Sequence, residues 1–218
     1  RIHSEFGVPN SGASLDAVTN KMFTSLEQLV SAPNSASLKL STLQDAENLV
    51  SKISGLANKV EKLRYDIDGQ IKTAIDELNV ELENAYNLNI AINTYVEGSL
   101  ERVNAEDKLR KVFEKVSTYL NITKFNDSNG KIKVFTADGT SIAGDSQYFL
   151  KYTPITSDIP LITDDVLNPI VVSYYDNQGH DAKFDREIVS GGRSSEITHK
   201  LGNGKIAGLL ALRDKELP

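Results

Sequence analysis

Side chains able to do chemistry are few in this sequence and widely spaced. Its 218 residues include three histidines and no cysteine, so thiolate zinc sites, iron–sulfur clusters and disulfides are excluded and a multi-histidine metal centre is disfavoured. His180 and His199 have neither a cysteine nor a nucleophile-elbow serine beside them. We interpret both as surface histidines and predict no catalytic, cofactor-binding or metal-binding site.

Three glycine-containing segments partly match known ligand-binding loops, but each lacks residues that the loop motif requires at fixed positions. Residues 127–130 and 176–179 have the centre of a calcium-binding loop, but Phe125 and Tyr174 occupy the first position, where a carboxylate ligand is needed. Residues 202–205 lack the earlier glycine and the following Ser or Thr of a phosphate-binding loop. The first two segments are interpreted as turns, and the third as the start of a helix.

Charge and hydropathy exclude two further classes. The net charge is −6, so the chain lacks the basic surface that phosphate backbones require, and we predict no nucleic-acid partner. The longest nearly continuous apolar run covers residues 206–212, far short of the ~18 residues that span a bilayer, and we predict no membrane association. Residues 1–13 are interpreted as a disordered or artificially added start.

Helices are predicted over the first part of the chain, and they would have to position any functional site. Ser14 is suited to cap a helix of about 17 residues that stops before Pro33. A second helix is predicted from about Leu43 to Tyr95, opened by a capping box at Ser41 and Gln44. At about 1.5 Å per residue it would be roughly 80 Å long, which predicts an elongated, rod-like molecule.

The second helix carries a heptad seam with one irregularity. Its apolar residues are Leu49, Ile53, Leu56, Val60, Leu63, Ile67, Ile71 and Leu78. Two successive steps of four after Leu63 form a stutter, and Glu81 stands where the spacing predicts an apolar residue. A third helix, over 104–120, is expected to pack back along the seam. The seam is interpreted as a bundle core, with a surface awaiting another subunit as the alternative.

From Asn121 onwards the apolar period changes to two. Strands are predicted over 131–135, 147–152, 170–175 and 183–189, in a small β-domain of five or six strands with a turn at Asp138-Gly139. A final helix over 205–217 is predicted to return to the bundle.

The predicted fold class is α+β. It consists of an elongated antiparallel helical bundle with a long coiled-coil-like helix, and a small antiparallel β-domain inserted before the final helix. The predicted domains are a helical one, from 14–118 and 203–218, and a β-rich outer one, from 119–202.

Four segments resemble the bacterial flagellar hook-associated protein 1 family. They are residues 26–34 with 43–56, residues 75–79 with 88–92, residues 112–122, and residues 204–218. The last is the most specific, and its matching positions are Gly204, Lys205, Gly208, Leu209, Leu210, Arg213 and Asp214. One departure precedes the third segment, where Leu109-Arg110 stands in place of the family's usual Arg-Asp.

The resemblance implies a structural, non-enzymatic subunit without cofactors. It implies export through the flagellar type III apparatus and assembly outside the cell, between hook and filament. The implied partners are copies of itself, the hook protein, the third hook-associated protein, and an export chaperone that binds a C-terminal segment. It also implies a central fragment without the terminal axial helices, which we expect to be monomeric at micromolar concentration.

Two alternatives remain from the sequence. One is another axial flagellar component, either the third hook-associated protein or a flagellin-like subunit. The other is a coiled-coil adhesin or adaptor that displays a β-head, which predicts stable self-association.

Overall fold

A computed structural model describes residues 14–126, 131–155, 168–175, 186–189 and 201–216. Its helices are α1 (Leu15–Ser31), α2 (Ala36–Thr94), α3 (Leu100–Tyr119) and α4 (Lys205–Ala211), the last followed by a π-helical turn (Leu212–Glu216). The strands are β1 (Ile122–Asn126), β2 (Ile132–Thr136), β3 (Ser141–Ala143), β4 (Tyr148–Lys151), β5 (Ile170–Tyr174) and β6 (Arg186–Val189). The predicted α+β class is confirmed. No described helix is long and apolar enough to cross a bilayer.

Helix α1 follows its sequence closely. It has the predicted 17 residues, and the Ser14 hydroxyl accepts a hydrogen bond from the backbone N–H of Ala17 at 3.4 Å. The N–H of Ala32 closes the helix on the carbonyls of Gln28 and Leu29, immediately before Pro33. Ser14 is therefore the predicted N-cap.

Helices α2 and α3 begin earlier than predicted. Ser35, whose hydroxyl accepts from the N–H of Leu38 at 3.4 Å, precedes the first residue of α2, so the capping box expected at Ser41 is wrong. Ser99 caps α3 in the same way, accepting from Arg102 at 3.2 Å, five residues before the predicted start at 104. At Ser41 the capping-box spacing occurs inside the helix rather than at its start. The start of α3 was misplaced because apolar periodicity marks where a helix becomes buried, not where it begins.

The chain divides into two compact units, Arg1–Leu63 and Arg64–Pro218, with the boundary inside α2. In the first unit, α1 and the start of α2 meet through polar contacts. The hydroxyl of Thr42 lies 3.2 Å from the carbonyl oxygen of Ser25, and Lys21 pairs with Asp45 at 3.1 Å. The division predicted from the sequence, at 118/119 and 202/203, stays a prediction.

The second unit contains the main apolar core. The buried residues of α2 and α3 pack together with residues of both sheets and of α4; the largest are Phe113, Ile71, Ile75, Leu78, Leu82, Ile92, Leu109, Leu120, Ile142, Ile170 and Leu201. The two helices run antiparallel, since Glu77 contacts Tyr119 and Glu81 contacts Lys115. The later part of α2 is therefore the element against which the β-segments and α4 are arranged.

Within the described residues the strands form two antiparallel sheets, with the orders β1-β2-β3 and β4-β5-β6. In the first, Thr123 pairs with Phe135, and the predicted turn holds Gly139 at φ 81°. In the second, Leu150 pairs with Val172. The four predicted strands are present, at slightly different bounds, while the separation into two sheets was not predicted. The loop sequences 127–130 and 176–179 lie outside the described residues.

Candidate functional site

Three polar residues of α2 reach from the helix into the β-segments. Asp68, Asn79 and Asn89 follow one another at intervals of 11 and 10 residues, about three helical turns each. Asp68 and Asn89 are buried, and Asn79 is half-buried. We call these three residues the docking row. Each bonds a different segment of the later chain.

The two asparagines each bond to both backbone groups of one strand residue. The Asn79 amide donates to the carbonyl of Leu150 at 2.9 Å and accepts from its N–H at 2.7 Å. Asn89 makes the same pair of bonds to Ile132, at 3.1 and 3.2 Å. A carboxamide offers the donor and the acceptor that a neighbouring strand would offer. One asparagine therefore holds β4 and the other holds β2, which gives each sheet its own attachment to α2.

We expect Asn89→Ala to lower the free energy of unfolding by about 1–3 kcal/mol, because it strips the backbone N–H and carbonyl of Ile132 of their partner. Asn93→Ala is the matched control, since Asn93 lies one turn further along α2, is exposed and bonds only within the helix. Urea unfolding followed by circular dichroism measures both changes. Equal losses in the two variants would show that the contact with Ile132 does not stabilise the fold.

Asp68 is the centre of a buried polar cluster. Its carboxylate accepts hydrogen bonds from the Tyr152 hydroxyl and, at 2.7 Å, from the backbone N–H of Ile155. It also accepts from Nη1 of Arg213 at 2.6 Å. Asp68, Tyr152, Arg213 and Asp214 form what we call the Arg213 cluster. Through it, α2 holds both the segment after β4 and the π-helical turn after α4.

Arg213 is almost completely enclosed, with 2% of its side chain exposed against 1% for Asp68. Nη1 also donates to the Tyr152 hydroxyl at 2.6 Å, and Nε lies 2.7 Å from a carboxylate oxygen of Asp214. Removing a guanidinium from water costs several kcal/mol unless its donors are satisfied. Nη2 donates to the other carboxylate oxygen of Asp214 at 3.3 Å, so four of the five N–H groups have partners. The guanidinium thus links α2, the segment after β4 and the π-helical turn.

The surroundings of the cluster shift the pKa values of two of its members, Tyr152 and Arg213. Burial raises the pKa of the Tyr152 hydroxyl, and its hydrogen bond to Asp68 raises that pKa further, so the phenol stays neutral. Burial alone would lower the pKa of Arg213, but the hydrogen bond to Asp214 and the charges of its neighbours outweigh burial and raise it. The arginine therefore remains a cation.

The raised pKa of Tyr152 predicts a loss of stability at alkaline pH. Above pH ~10 the tyrosine ionises in the unfolded chain while the folded chain keeps the proton, so the free energy of unfolding falls as pH rises, by up to about 1.4 kcal/mol per pH unit. We expect Tyr152→Phe to reduce this slope in urea unfolding between pH 8 and 11.5. An unchanged slope would contradict the assignment to Tyr152.

A second, exposed contact positions Lys205 of the motif. Its ammonium lies 2.8 Å from the Glu77 carboxylate, which also accepts from the Tyr119 hydroxyl at 3.1 Å, and it stands 5.3 Å above the Tyr119 ring. The hydrogen bonds from Lys205 and Tyr119 lower the pKa of Glu77. Because the pair is nearly half exposed, solvent screens it and its contribution to stability is small.

A glycine is required at position 204 because the backbone there passes close to the backbone of Tyr119. Its φ is 128°, and a Cβ at this position would lie 2.5 Å from the carbonyl oxygen of Tyr119. Gly208, inside α4, has open space around it. Of the two motif leucines, Leu210 is buried and Leu209 is half-buried. The structure thus gives a packing reason for Gly204 and none for Gly208.

The predicted seam residues lie in different environments. In the second unit Ile71 and Leu78 are fully buried and Ile67 is half-buried. In the first unit Leu56 is buried, Leu49, Val60 and Leu63 are half-buried, and Ile53 is 52% exposed. Ile53 therefore lies outside the core. At the irregular position, Glu81 pairs with Lys115 at 3.0 Å and the next residue, Leu82, takes the buried place.

The docking row is the part of the site that the sequence did not predict as functional. A repeated signal was available, because an asparagine follows a leucine of the apolar stripe at both 79 and 89. Within the described ranges, no group of three or more His, Asp or Glu side chains is placed to hold a metal ion. All three histidines fall outside those ranges.

Comparison with known proteins identifies the family. The fold is similar to that of the flagellar hook junction protein FlgK from Burkholderia pseudomallei, with a TM-score of 0.72 and 17% identity over 95% of this chain. The chain spans about a third of that protein's length (34%). No curated protein matches. The family model described as "Flagellar hook-associated protein FlgK helical domain" matches residues 7–218. The chain therefore belongs to the FlgK family of flagellar hook-associated proteins.

Proposed function

We propose that the chain is a structural, non-catalytic part of the bacterial flagellum that connects the hook to the filament. The family match over residues 7–218 carries this proposal. The similar fold of a hook junction protein supports it. In this proposal the protein is exported through the flagellar apparatus and acts outside the cell, where copies of it contact one another, the hook protein and the third hook-associated protein.

The contacts of the site suit a structural role. The docking row and the Arg213 cluster bond to strand backbones and to one another, so their polar groups hold segments in place rather than face a substrate. A subunit between two mechanical elements needs its parts in a fixed orientation. Buried, directional hydrogen bonds provide that better than apolar contacts alone, which are non-directional.

The experiment is an in-frame deletion of the codons for residues 14–216, complemented with the intact gene. Cells with the deletion should carry hooks without filaments in electron micrographs and should release filament protein into the medium. Complementation should restore filaments and swimming. Normal filaments in the deletion strain would contradict the proposal, and loss of surface attachment with normal swimming would favour an adhesin.

Complementing the deletion strain with two point variants tests the same role with a full-length protein present. Arg213→Ala removes the buried cation, whereas Gly208→Ala changes a motif position with open space around it. We expect Gly208→Ala to restore filaments fully and Arg213→Ala to restore them poorly, with both proteins exported in similar amounts.

A further inference from the structure

A groove with two lysines lies between α2 and α3. It is lined by Asn84, Asn87, Leu88, Lys108, Lys111 and Val112, and we call it the lysine groove. The lysines and asparagines are exposed at its rim, while Leu88 and Val112 are half-buried at its floor. The groove therefore presents positive charge beside an apolar surface.

The carboxylates on this side of α2 are paired with lysines at two levels, one on α4 and one on α3, and are absent at the third. Glu77 meets Lys205, and one turn later Glu81 meets Lys115. At the next level the side chains of α2 are the neutral amides Asn84 and Asn87. Lys108 and Lys111 make no ion pair with any residue in the described part of the chain. This level lacks the carboxylates present at the two before it.

The connection between α2 and α3 has the complementary chemistry. Tyr95, Val96, Glu97, Leu100 and Glu101 form what we call the hairpin tip. Val96 is 77% exposed and Leu100 is 71% exposed, and no basic residue occurs between 95 and 101. Gly98, at φ 77°, makes the turn that presents them. Large exposed apolar side chains grouped with charges of one sign are typical of an interaction surface.

We propose that the hairpin tip of one copy docks into the lysine groove of a second copy. Val96 and Leu100 would cover Leu88 and Val112, while Glu97 and Glu101 would supply the carboxylates missing opposite Lys108 and Lys111. A tip cannot reach its own groove, because the two lie on the same helices, about ten residues or roughly 15 Å apart.

The contact is heterologous, because two different surfaces meet. A heterologous contact repeats from copy to copy and builds a ring or a helical array rather than a closed pair. The inference deepens the proposed function, which already includes contacts between copies, by naming the two surfaces that meet. The flagellar role is tested by the deletion strain and the surfaces by association of the purified chain, so failure of one is distinguishable from failure of the other. The surfaces involved are small, so the contact is weak in free solution and weakens further with salt.

The test is sedimentation velocity at chain concentrations from 10 μM to 1 mM in low salt, with two charge-reversed variants. One carries Lys108→Glu and Lys111→Glu, and the other carries Glu97→Lys and Glu101→Lys. All four positions are exposed, so the variants should fold, which circular dichroism checks. Lys39→Glu with Lys62→Glu reproduces the charge change of the first variant at exposed residues of the other unit and serves as its control.

We expect the wild-type chain to associate reversibly towards 1 mM and each charge-reversed variant to associate at least ten-fold more weakly. A mixture of the two variants should regain association, because a reversed tip then meets a reversed groove. The Lys39/Lys62 control should associate like the wild type. A monomeric wild type at 1 mM, unchanged association in either variant, or a mixture that stays monomeric would each overturn the proposal.

Discussion

Replacing Arg213 by alanine is expected to lower the free energy of unfolding by about 3–5 kcal/mol. The change would leave the Asp68 carboxylate buried with no cation to pair with it. It would also take a hydrogen-bond donor from the Tyr152 hydroxyl and from Asp214. Urea unfolding followed at 222 nm gives the difference directly.

Arg110→Ala is the matched control for this prediction. Arg110 also pairs with an aspartate, Asp107, at 3.2 Å, but 67% of its side chain is exposed. Exposed pairs contribute about 0–1 kcal/mol. A loss in Arg213→Ala no larger than that in Arg110→Ala would mean that the cluster is not a stabilising contact. The double variant Asp68→Leu with Arg213→Met should recover only part of the loss, because it removes the unpaired Asp68 carboxylate but also the acceptor of the buried Ile155 N–H.

The two glycines of the motif are expected to respond to alanine in opposite directions. Gly204→Ala should lower the free energy of unfolding by about 2–4 kcal/mol. An L-residue at φ 128° is strained, and its Cβ would overlap the carbonyl oxygen of Tyr119, a backbone atom that cannot rotate away. The start of α4 would have to move away from α3.

Gly208→Ala should instead raise the free energy of unfolding, by about 0.5–1 kcal/mol. Gly208 lies inside α4 with nothing within 4 Å of an added Cβ, so alanine removes the conformational freedom of glycine without a clash. The comparison uses one substitution at two positions four residues apart. A stabilising effect at 204, or a destabilising one at 208, would show that the local geometry of α4 differs from that described.

Local patterns in the sequence predicted the positions of helices and strands better than the contacts between them. The cap at Ser14 and the length of α1 follow from short-range rules, and so do the strands around Phe135 and Val172. The start of α2 was misplaced because its first residues carry no apolar stripe. The strand partners and the two-sheet arrangement depend on contacts between distant residues, which periodicity does not encode.

The candidate site shows the same limit. The motif around Arg213 was identified by resemblance, but its partner Asp68 lies 145 residues earlier and has no local feature that connects the two. Asn79 and Asn89 were visible as asparagines beside buried leucines, yet their bonds to Leu150 and Ile132 require knowing which strands lie above them. Such partners are set by tertiary packing.

The separation between Asp68 and Arg213 also constrains the order in which the second unit can be completed. Asp68 leaves the ribosome 145 residues before Arg213, and until then its carboxylate has no buried cation to meet. Closing a loop of this length costs entropy that only the finished core repays. A chain interrupted before residue 213 would keep the bonds of Asp68 to Tyr152 and Ile155. It would lack the cation that pairs with the Asp68 carboxylate, so α2 would have no tie to the π-helical turn and the buried charge would stay uncompensated.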